Sequence, residues 1–233
     1  MSDDPGMERS RELLRRHQEH TTREPHTFTA LRKKWDVFPG VFSPEFTPVT
    51  AMFTTWLPYP PDGAFLEVGS GTGVTAVWAA LQGCRRVVAL DINPAAVENT
   101  RANACRHDVS DRVTVLHSDL FDALPPDVVF DVIFWNSNYV EPPADFSLDT
   151  MLHHAFFDPG YAAHRRFLAE APAHLAPDGR LLLGFSDVGN HELLRQLCDT
   201  YGLTLSTLRS EVRELHMTVE FQLLELTPAR HRP

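Results

Sequence analysis

The sequence FLEVGSGTGVTAVWAA (residues 65–80) places three glycines within five positions, directly behind an apolar run. Glycine costs roughly 0.5–1 kcal/mol inside regular structure, so such a cluster needs a reason. The run Ala64–Val68 predicts a short strand, and Val74–Leu81 predicts a helix. We therefore expect the glycines to form a sharp strand-to-helix turn, where bare backbone and its N–H groups lie against a ligand.

Strands and helices alternate through the rest of the chain. The predicted strands cover residues 64–68, 86–92, 112–116, 128–135, 180–185, 203–208 and 216–226, and the predicted helices cover residues 74–81, 95–106, 161–175 and 191–201. This order is typical of an α/β fold: a Rossmann-like, doubly wound, seven-stranded and mostly parallel sheet with helices on both faces. Ligands of such sheets bind beyond the carboxyl ends of the strands, which is where the glycine turn lies.

The first part of the chain lacks this alternation of strands and helices. Residues 1–60 are predicted to form an N-terminal helical extension and lid, and residues 61–233 the ligand-binding domain. A helix of modest apolar content is expected at residues 8–20, as a flap or appendage. Residues 35–61 are rich in proline and aromatic residues, which predicts a loop followed by a short helix at residues 48–57.

The charge balance argues against a nucleic-acid partner. The net charge is −10 and the pI is near 5.6, whereas nucleic-acid binders usually present a basic face. Eight of the 21 basic residues nevertheless lie between Arg9 and Lys34. We favour a solvated helix there, with Glu8, Glu12 and Glu19 as ion-pair partners, over a polyanion-binding site.

Several other classes of protein are excluded by what the sequence lacks. No run of about 18 apolar residues is present, which excludes a membrane span, and the polar N-terminus lacks the apolar core of a secretory signal. Cys84, Cys105 and Cys198 fit no zinc spacing and predict reduced thiols in a cytoplasmic protein. His153 and His154 stand in no metal-binding motif, so no metal is expected. The oligomeric state stays open, a homodimer included.

Two carboxylates, Asp91 and Glu67, narrow the range of possible ligands. Asp91 ends the second predicted strand, about 20 residues past the glycines, where an acid can accept hydrogen bonds from both hydroxyls of a ribose. A dinucleotide fingerprint would need a third glycine at the position of Val74. The turn instead reads E-x-G-x-G-x-G from Glu67, and a carboxylate there suits a cationic ligand that carries an amino acid.

The stretch HSDLFDAL (residues 117–124) follows the third predicted strand. Asp119 is placed to accept a hydrogen bond from an adenine amino group, with Leu120 and Phe121 beside the ring. Alone, the stretch would be read as an ordinary turn closed by an aspartate. Because it follows the glycines and Asp91 at the right interval, we favour a nucleoside site.

From Glu67 to Tyr139 the chain resembles a class I S-adenosylmethionine-dependent methyltransferase, in EVGSGTG, ALDINPAAVENTRANA, HSDLF and FDVIFWNSNY. More narrowly, it resembles the branch that contains the release-factor glutamine methyltransferases and other amino-methylating enzymes, whose fourth strand ends in N-P-P-Y. The resemblance implies S-adenosyl-L-methionine as cofactor and S-adenosyl-L-homocysteine as product. The residues that it assigns to the cofactor are Glu67, Gly69, Ser70, Gly71, Gly73, Asp91, Ile92, Asp119, Leu120 and Asn136.

The N-P-P-Y position falls on Asn136, Ser137, Asn138 and Tyr139. In the family's motif the first asparagine and the following carbonyl accept hydrogen bonds from a planar substrate nitrogen, the prolines stiffen the loop, and the aromatic ring packs over the substrate. Without the prolines we expect a freer loop with its backbone N–H groups restored. This change makes a glutamine-bearing protein less expected as the substrate, and it favours a small amine, amide, guanidine or heterocycle as the methyl acceptor.

Methyl transfer from a sulfonium is a direct displacement, so the site must mainly hold the acceptor in line. Asn136 is the candidate for orienting the acceptor, Tyr139 for packing, Glu141 for added charge and His154 for the general base. The long segment 141–164 is expected to form a substrate lid and wall. Further candidate contacts are Asp145, Asp149, His153 and Asp158 in that segment, with Phe42, Ser43 and Phe46 folding over the cofactor from the other side.

Three functions follow from this sequence. The favoured one is a methyltransferase for a small-molecule acceptor, at a nitrogen of an amino-acid-like or secondary metabolite. The second is a protein or RNA N-methyltransferase that docks its substrate through the basic N-terminal helix. The third is a cofactor-binding module without transferase activity, in which the catalytic loop has decayed at Ser137 and Asn138.

Overall fold

A computed structural model describes residues 5–20, 24–215 and 217–229. The helices are α1 (Pro5–His20), α2 (Val49–Trp56), α3 (Val74–Leu81), α4 (Pro94–Arg106), α5 (Ala162–Glu170) and α6 (His191–Thr200). The strands are β1 (His26–Ala30), β2 (Lys33–Val37), β3 (Ala64–Val68), β4 (Arg86–Asp91), β5 (Val113–His117), β6 (Phe130–Asn136), β7 (Leu175–Ser186), β8 (Leu203–Glu214) and β9 (Thr218–Pro228). None of the helices in these ranges has the length and apolar character that crossing a membrane requires.

Seven of the strands form one sheet, in the order β5-β4-β3-β6-β7-β9-β8. The pairs β3/β4, β3/β6, β4/β5 and β6/β7 are parallel, whereas β9 runs antiparallel to both β7 and β8. The predicted Rossmann-like, mostly parallel sheet of seven strands is thus confirmed. The chain leaves β5 at one edge and returns as β6 beside β3, so the strand order reverses at β3, the place where ligands of such sheets bind.

Helices cover both faces of this sheet. Val77 of α3 and Val97 of α4 are buried against one face, and Phe167 of α5 and Leu197 of α6 are buried against the other. Every side chain of β4 after Arg86 is buried, as expected for a parallel strand that is covered on both sides.

Several predicted boundaries shift. The helix expected at residues 161–175 is the shorter α5 followed by a 3-10 turn at Ala171–His174, because Pro172 cannot continue an α-helix. The last two strands form a longer hairpin than expected, and β8 extends six residues past its predicted end at residue 208. The predicted first residue of the last strand, His216, lies outside the described residues.

The hairpin of β1 and β2 was not predicted, and β2 takes the start of the proline-rich stretch expected to be a loop. Its turn residues Leu31 and Arg32 are both left-handed, with φ of 52° and 59°, but they lack the glycine or asparagine that marks such turns. Trp35 anchors the hairpin: its side chain is fully buried, and its Nε1 donates to the carbonyl of Ala30 at 2.9 Å.

Helix α1 packs against the molecule through one face. Its apolar residues join a cluster with the segment that follows β6, whose buried members are Met7, Leu13, Leu14, Val140, Leu152, Phe156 and Phe157. On the other face Glu12 forms ion pairs with Arg15 and Arg16, at 2.9 and 3.0 Å, as expected for a solvated surface. Helix α1 is therefore docked along its apolar face, and its expected role as a flap or lid stays a prediction.

Candidate functional site

A cavity of about 210 Å³ lies at the carboxyl ends of β3, β4 and β6, with part of its lining contributed by α1. The predicted site residues that line it are Glu67, Gly69, Ser70, Gly71, Asp91, Ile92, Asp119, Leu120, Asn136, Tyr139 and His154. Gly73 and Glu141, also predicted, are not among the lining residues. The three stretches that the sequence singles out thus meet in one place.

Gly71 and Gly73 serve different purposes. Both have a positive φ, 54° and 79°, which glycine adopts without the strain of other residues. A Cβ atom on Gly71 would meet no described atom within 4 Å, whereas one on Gly73 would lie 2.7 Å from Cγ2 and 2.9 Å from Cα of Thr100. Gly71 therefore presents open backbone to the cavity. Gly73 instead allows α3 to approach α4, which corrects its expected role as a cofactor contact.

Glu67 carries a buried carboxyl group in the wall of the cavity. Its Oε2 accepts a hydrogen bond from the N–H of Ala76 at 2.8 Å, and the Thr75 hydroxyl donates as well, so the first turn of α3 holds it in place. Burial raises the pKa of Glu67 to about 8, and the nearby charge of Asp91 adds to the rise. A cationic group beside this carboxyl would favour its ionised form.

Asp91 connects the glycine turn to the loop after β4. Its Oδ2 accepts from the N–H of Gly71 and its Oδ1 from the N–H of Asn93, each at 2.8 Å. Burial raises the pKa of Asp91, while these two bonds oppose the rise. Because each carboxylate oxygen can accept a second hydrogen bond, both oxygens retain capacity for the hydroxyls of a ribose.

Asp119 lies beyond β5 and lines the same cavity as Asp91, as their spacing predicts. Its side chain is 51% exposed and pairs with Arg166, Nη1 to Oδ2 at 2.9 Å. An ion pair this exposed contributes little free energy, so it does not prevent Asp119 from bonding a ligand. Leu120 lines the cavity beside it, whereas Phe121 is buried in the core and does not line it.

The N-S-N-Y loop is held by hydrogen bonds that Ser137 and Asn138 donate. The N–H and the hydroxyl of Ser137 both donate to the carbonyl of Gly184, at 3.2 and 2.8 Å. The Nδ2 of Asn138 donates to the carbonyls of His154 at 3.0 Å and Phe157 at 2.9 Å. These four bonds constrain the loop where the family has prolines, so the expectation of a freer loop is corrected.

Tyr139 stands at the junction of this loop and α1. Its ring lies 5.5 Å from that of Phe185, and its carbonyl accepts from the hydroxyl of Tyr161 at 2.6 Å. From α1, Nη1 of Arg9 donates to the Tyr139 hydroxyl at 3.4 Å, and Leu13 lines the cavity nearby. Arg9 and Leu13 were not predicted as cavity residues, because no local spacing signals that α1 folds back over the loop.

His17 docks α1 onto the aromatic stretch that precedes α2. Its ring lies 4.8 Å from each of the rings of Phe42 and Phe46. Its Nδ1 is 2.7 Å from the carbonyl of Leu13, and its Nε2 accepts from the N–H of Ser43 at 2.9 Å. Of the three residues expected to cover the cofactor, only Phe42 lines the cavity, while Ser43 and Phe46 hold α1.

The other two predicted catalytic residues, Glu141 and His154, do not lie together in the cavity. Glu141 accepts a hydrogen bond from Nδ2 of Asn190, the N-cap of α6, at 2.9 Å, and lies outside the cavity lining. It therefore ties its segment to α6, which corrects its expected role beside the acceptor. His154 lines the cavity, and burial lowers its pKa. Its ring is thus neutral at pH 7 and able to accept a proton.

The segment 141–164 walls the cavity with apolar side chains, Leu152 and Phe156 among them. Four of its predicted polar contacts do not line the cavity: Asp145, Asp149, His153 and Asp158. Asp158 is instead buried against His164, with its Oδ2 2.7 Å from Nδ1 of the ring. The wall is as predicted, but its polar residues serve the fold of the segment.

The donor set fits a sulfonium nucleoside that carries an amino acid. Glu67 offers a buried acid, Asp91 offers two acceptor oxygens, and Gly71 offers open backbone in the same cavity. Within the described ranges no group of three or more His, Cys, Asp or Glu side chains could hold a metal ion.

Residues 35–214 match the family model described as "Methyltransferase small domain". The chain belongs to this family. It carries an S-adenosylmethionine-dependent methyltransferase domain with a Rossmann-like fold. It is 33% identical over 136 residues to the release factor glutamine methyltransferase of Rhodopirellula baltica, covering 54% of this chain and 45% of that one. It is 32% identical over 133 residues to the ribosomal protein uL3 glutamine methyltransferase of Bordetella pertussis, covering 54% and 44%.

This methyltransferase spans less than half the length of these two relatives. Its fold is similar to that of the T. thermophilus 16S rRNA N2 G1207 methyltransferase in complex with AdoMet and guanosine, with a TM-score of 0.62, 21% identity, and coverage of 89% of this chain and 50% of that chain. The expectation of a small-molecule acceptor is wrong, because both relatives are named for protein substrates. The structure named for an RNA substrate is similar in fold alone.

Proposed function

We propose that this methyltransferase transfers a methyl group to a planar side-chain nitrogen of a protein, the carboxamide of glutamine. The observation that carries the proposal is the N-S-N-Y loop, which lies at the cavity and is constrained by four hydrogen bonds from Ser137 and Asn138. A constrained loop can present fixed acceptors to a planar N–H group, as the family's motif requires. The two relatives named as glutamine methyltransferases support the same acceptor.

The cofactor is held, in this proposal, by the residues around the glycine turn. Glu67 lies beside the amino group of its methionine part, Asp91 accepts from the ribose hydroxyls, and Asp119 accepts from the adenine amino group. The open backbone of Gly71 allows close approach. When bound, the cofactor supplies a methyl group activated by a sulfonium.

The acceptor lies at the other end of the cavity. Asn136 accepts a hydrogen bond from the N–H of the carboxamide and so turns its nitrogen toward the methyl group. The ring of Tyr139 packs over the flat amide. Fixing the nitrogen in line in this way converts binding into a near-attack geometry, which is the main contribution that the protein can make to a direct displacement.

A carboxamide nitrogen must lose one proton when it gains a methyl group. His154 lines the cavity, and its lowered pKa keeps the ring neutral at pH 7. A neutral imidazole can accept that proton. We propose His154 as the base on these grounds.

Labelled methyl transfer tests the proposed acceptor. The protein is incubated with cofactor carrying a tritiated methyl group and with separate protein, RNA and small-molecule fractions of a bacterial extract. We expect the label in the protein fraction, as N5-methylglutamine after enzymatic digestion, and its loss with Asn136→Ala. Label confined to the RNA fraction, or recovered on another amino acid, would refute the proposal.

A further inference from the structure

The charged groups that line the cavity are unevenly distributed. Three carboxylates, Glu67, Asp91 and Asp119, surround the glycine turn and the ends of β4 and β5. Among the described residues that line the cavity, the one lysine or arginine is Arg9 of α1. It contacts Tyr139 of the N-S-N-Y loop, so the acids lie at the proposed cofactor end and the cation lies at the proposed acceptor end.

Arg9 is held in place mainly by aromatic side chains. Its Nη1 donates to the Tyr139 hydroxyl at 3.4 Å, and its Cζ lies 5.1 Å from the centroid of the Phe221 ring. An arginine over an aromatic face keeps its guanidinium in a defined orientation without using its N–H donors. A guanidinium has five such donors in a planar fork, and most of them stay available for a ligand.

The described residues around Arg9 do not neutralise its charge. Within the described part of the chain, no carboxylate lies within ion-pair distance of Arg9, whereas Arg15 and Arg16 of the same helix both pair with Glu12. A partly buried cation without a counter-charge is costly, and a planar guanidinium matches the two oxygens of a carboxylate.

We propose that Arg9 binds a carboxylate of the protein substrate, next to the side chain that is methylated. The inference rests on the proposed function and adds a substrate preference to it: an acidic residue adjacent to the glutamine, or a chain terminus that ends there. Either source would form a two-point contact with the guanidinium, while the amide reaches Asn136. The Arg-rich helix thus contributes directly to recognition through one residue that faces the cavity.

Peptide binding tests this inference. The probes are three N-acetylated pentapeptides built on glutamine: one with an amidated C-terminus and glutamates beside the glutamine, one with an amidated C-terminus and alanines beside it, and one made otherwise of alanine that ends in glutamine with a free α-carboxylate. The second is the blocked neutral peptide. Affinities are measured for protein saturated with S-adenosylhomocysteine. We expect at least one carboxylate-bearing peptide to bind about 10- to 100-fold more tightly than the blocked neutral one, and which of them does so identifies the source of the carboxylate.

Variants of α1 separate a direct contact from a general charge effect. Arg9→Gln should abolish the preference, Arg9→Lys should restore part of it, and the exposed Arg11→Gln on the same helix should leave it unchanged. The affinity for S-adenosylhomocysteine should stay within about twofold of the parent's in all three. Equal binding of all peptides by the parent protein overturns the inference, as does a loss confined to S-adenosylhomocysteine, which would place the cofactor's own carboxylate at Arg9.

Methyl transfer to the same peptides distinguishes this inference from the proposed function. Arg9-dependent binding of an acidic peptide without methylation keeps the inference and ends the glutamine proposal. If the blocked neutral peptide is methylated as fast as the carboxylate-bearing peptides, and Arg9→Gln does not change that rate, the glutamine proposal is kept and the inference about Arg9 is overturned. If a short single-stranded RNA binds in an Arg9-dependent way and the peptides show no preference, the ligand of Arg9 is a phosphate, and the proposal of a carboxylate is overturned.

Discussion

At the level of single residues, Gly71 and Gly73 form a matched pair. Gly73→Ala would combine left-handed strain with contacts below 3 Å to Thr100, and we expect it to lower the free energy of unfolding by roughly 2–4 kcal/mol. Gly71→Ala has the strain alone, at about 1 kcal/mol, but its methyl group enters the cavity. Urea unfolding and calorimetry with S-adenosylhomocysteine measure the two effects. Equal destabilisation by both would contradict the packing role of Gly73.

We expect the raised pKa of Glu67 to make cofactor binding dependent on pH. Its carboxyl has a pKa of about 8 in the protein, so it is largely protonated at pH 7. A cationic amino group beside it lowers that pKa, and binding therefore releases a proton. Between about pH 6 and 8 the affinity for S-adenosylhomocysteine should rise with pH, by at most about tenfold per unit.

Calorimetry in buffers of different ionisation enthalpy measures the released proton directly. Glu67→Gln keeps the shape of the side chain and removes the titrating group, so the variant should release fewer protons and show a flatter pH profile. If parent and variant release the same number of protons, another group is responsible and the assignment of Glu67 fails.

At the level of elements, Asn138 joins the N-S-N-Y loop to the wall of the cavity. Asn138→Ala removes two hydrogen bonds to the carbonyls of His154 and Phe157, which should lower the free energy of unfolding by roughly 1–3 kcal/mol. Because the wall would lose its tether, methyl transfer should fall more than cofactor affinity does. The exposed Asp145→Ala in the same segment serves as the control and should change stability by less than about 0.5 kcal/mol.

The docking of α1 depends on His17. His17→Ala removes its contacts with Leu13, Ser43 and two phenylalanine rings, a loss of roughly 2–4 kcal/mol that falls on the docked helix. Hydrogen exchange of the amides in α1 should accelerate at least tenfold, while α3 stays protected. The exposed Gln18→Ala should leave both unchanged. Equal acceleration in α1 and α3 would show that the helix does not open separately.

At the level of the whole molecule, the sheet could be predicted because each of its strands carries its own signal. Runs rich in apolar and β-branched residues, bounded by turns, mark β3 to β9 in the sequence, and alternation with helices implies parallel pairing. The hairpin of β1 and β2 could not be predicted in this way. Its turn at Leu31 and Arg32 lacks the usual residues, and Trp35 is held by packing that only the folded chain supplies.

The residues of the site likewise fall into those that the sequence predicts and those that it does not. Glu67, Asp91 and Asp119 lie at or just beyond the carboxyl ends of β3, β4 and β5, so their spacing alone predicts that they converge. Arg9 and Glu141 depend instead on how distant segments fold against one another: Arg9 reaches the cavity because α1 docks, and Glu141 leaves it because Asn190 of α6 binds its carboxylate. Local spacing carries no information about either contact.

The side-chain bonds of Asn138 bear on how such enzymes are recognised in genomes. A pattern that demands two prolines after the first asparagine would pass over this chain, although a carboxamide anchors the same loop by another route. What a useful pattern should require is a residue able to immobilise the loop, by a ring or by bonds to neighbouring carbonyls. Enzymes that immobilise the loop by hydrogen bonds would otherwise be classified as degenerate versions of the enzymes that use prolines.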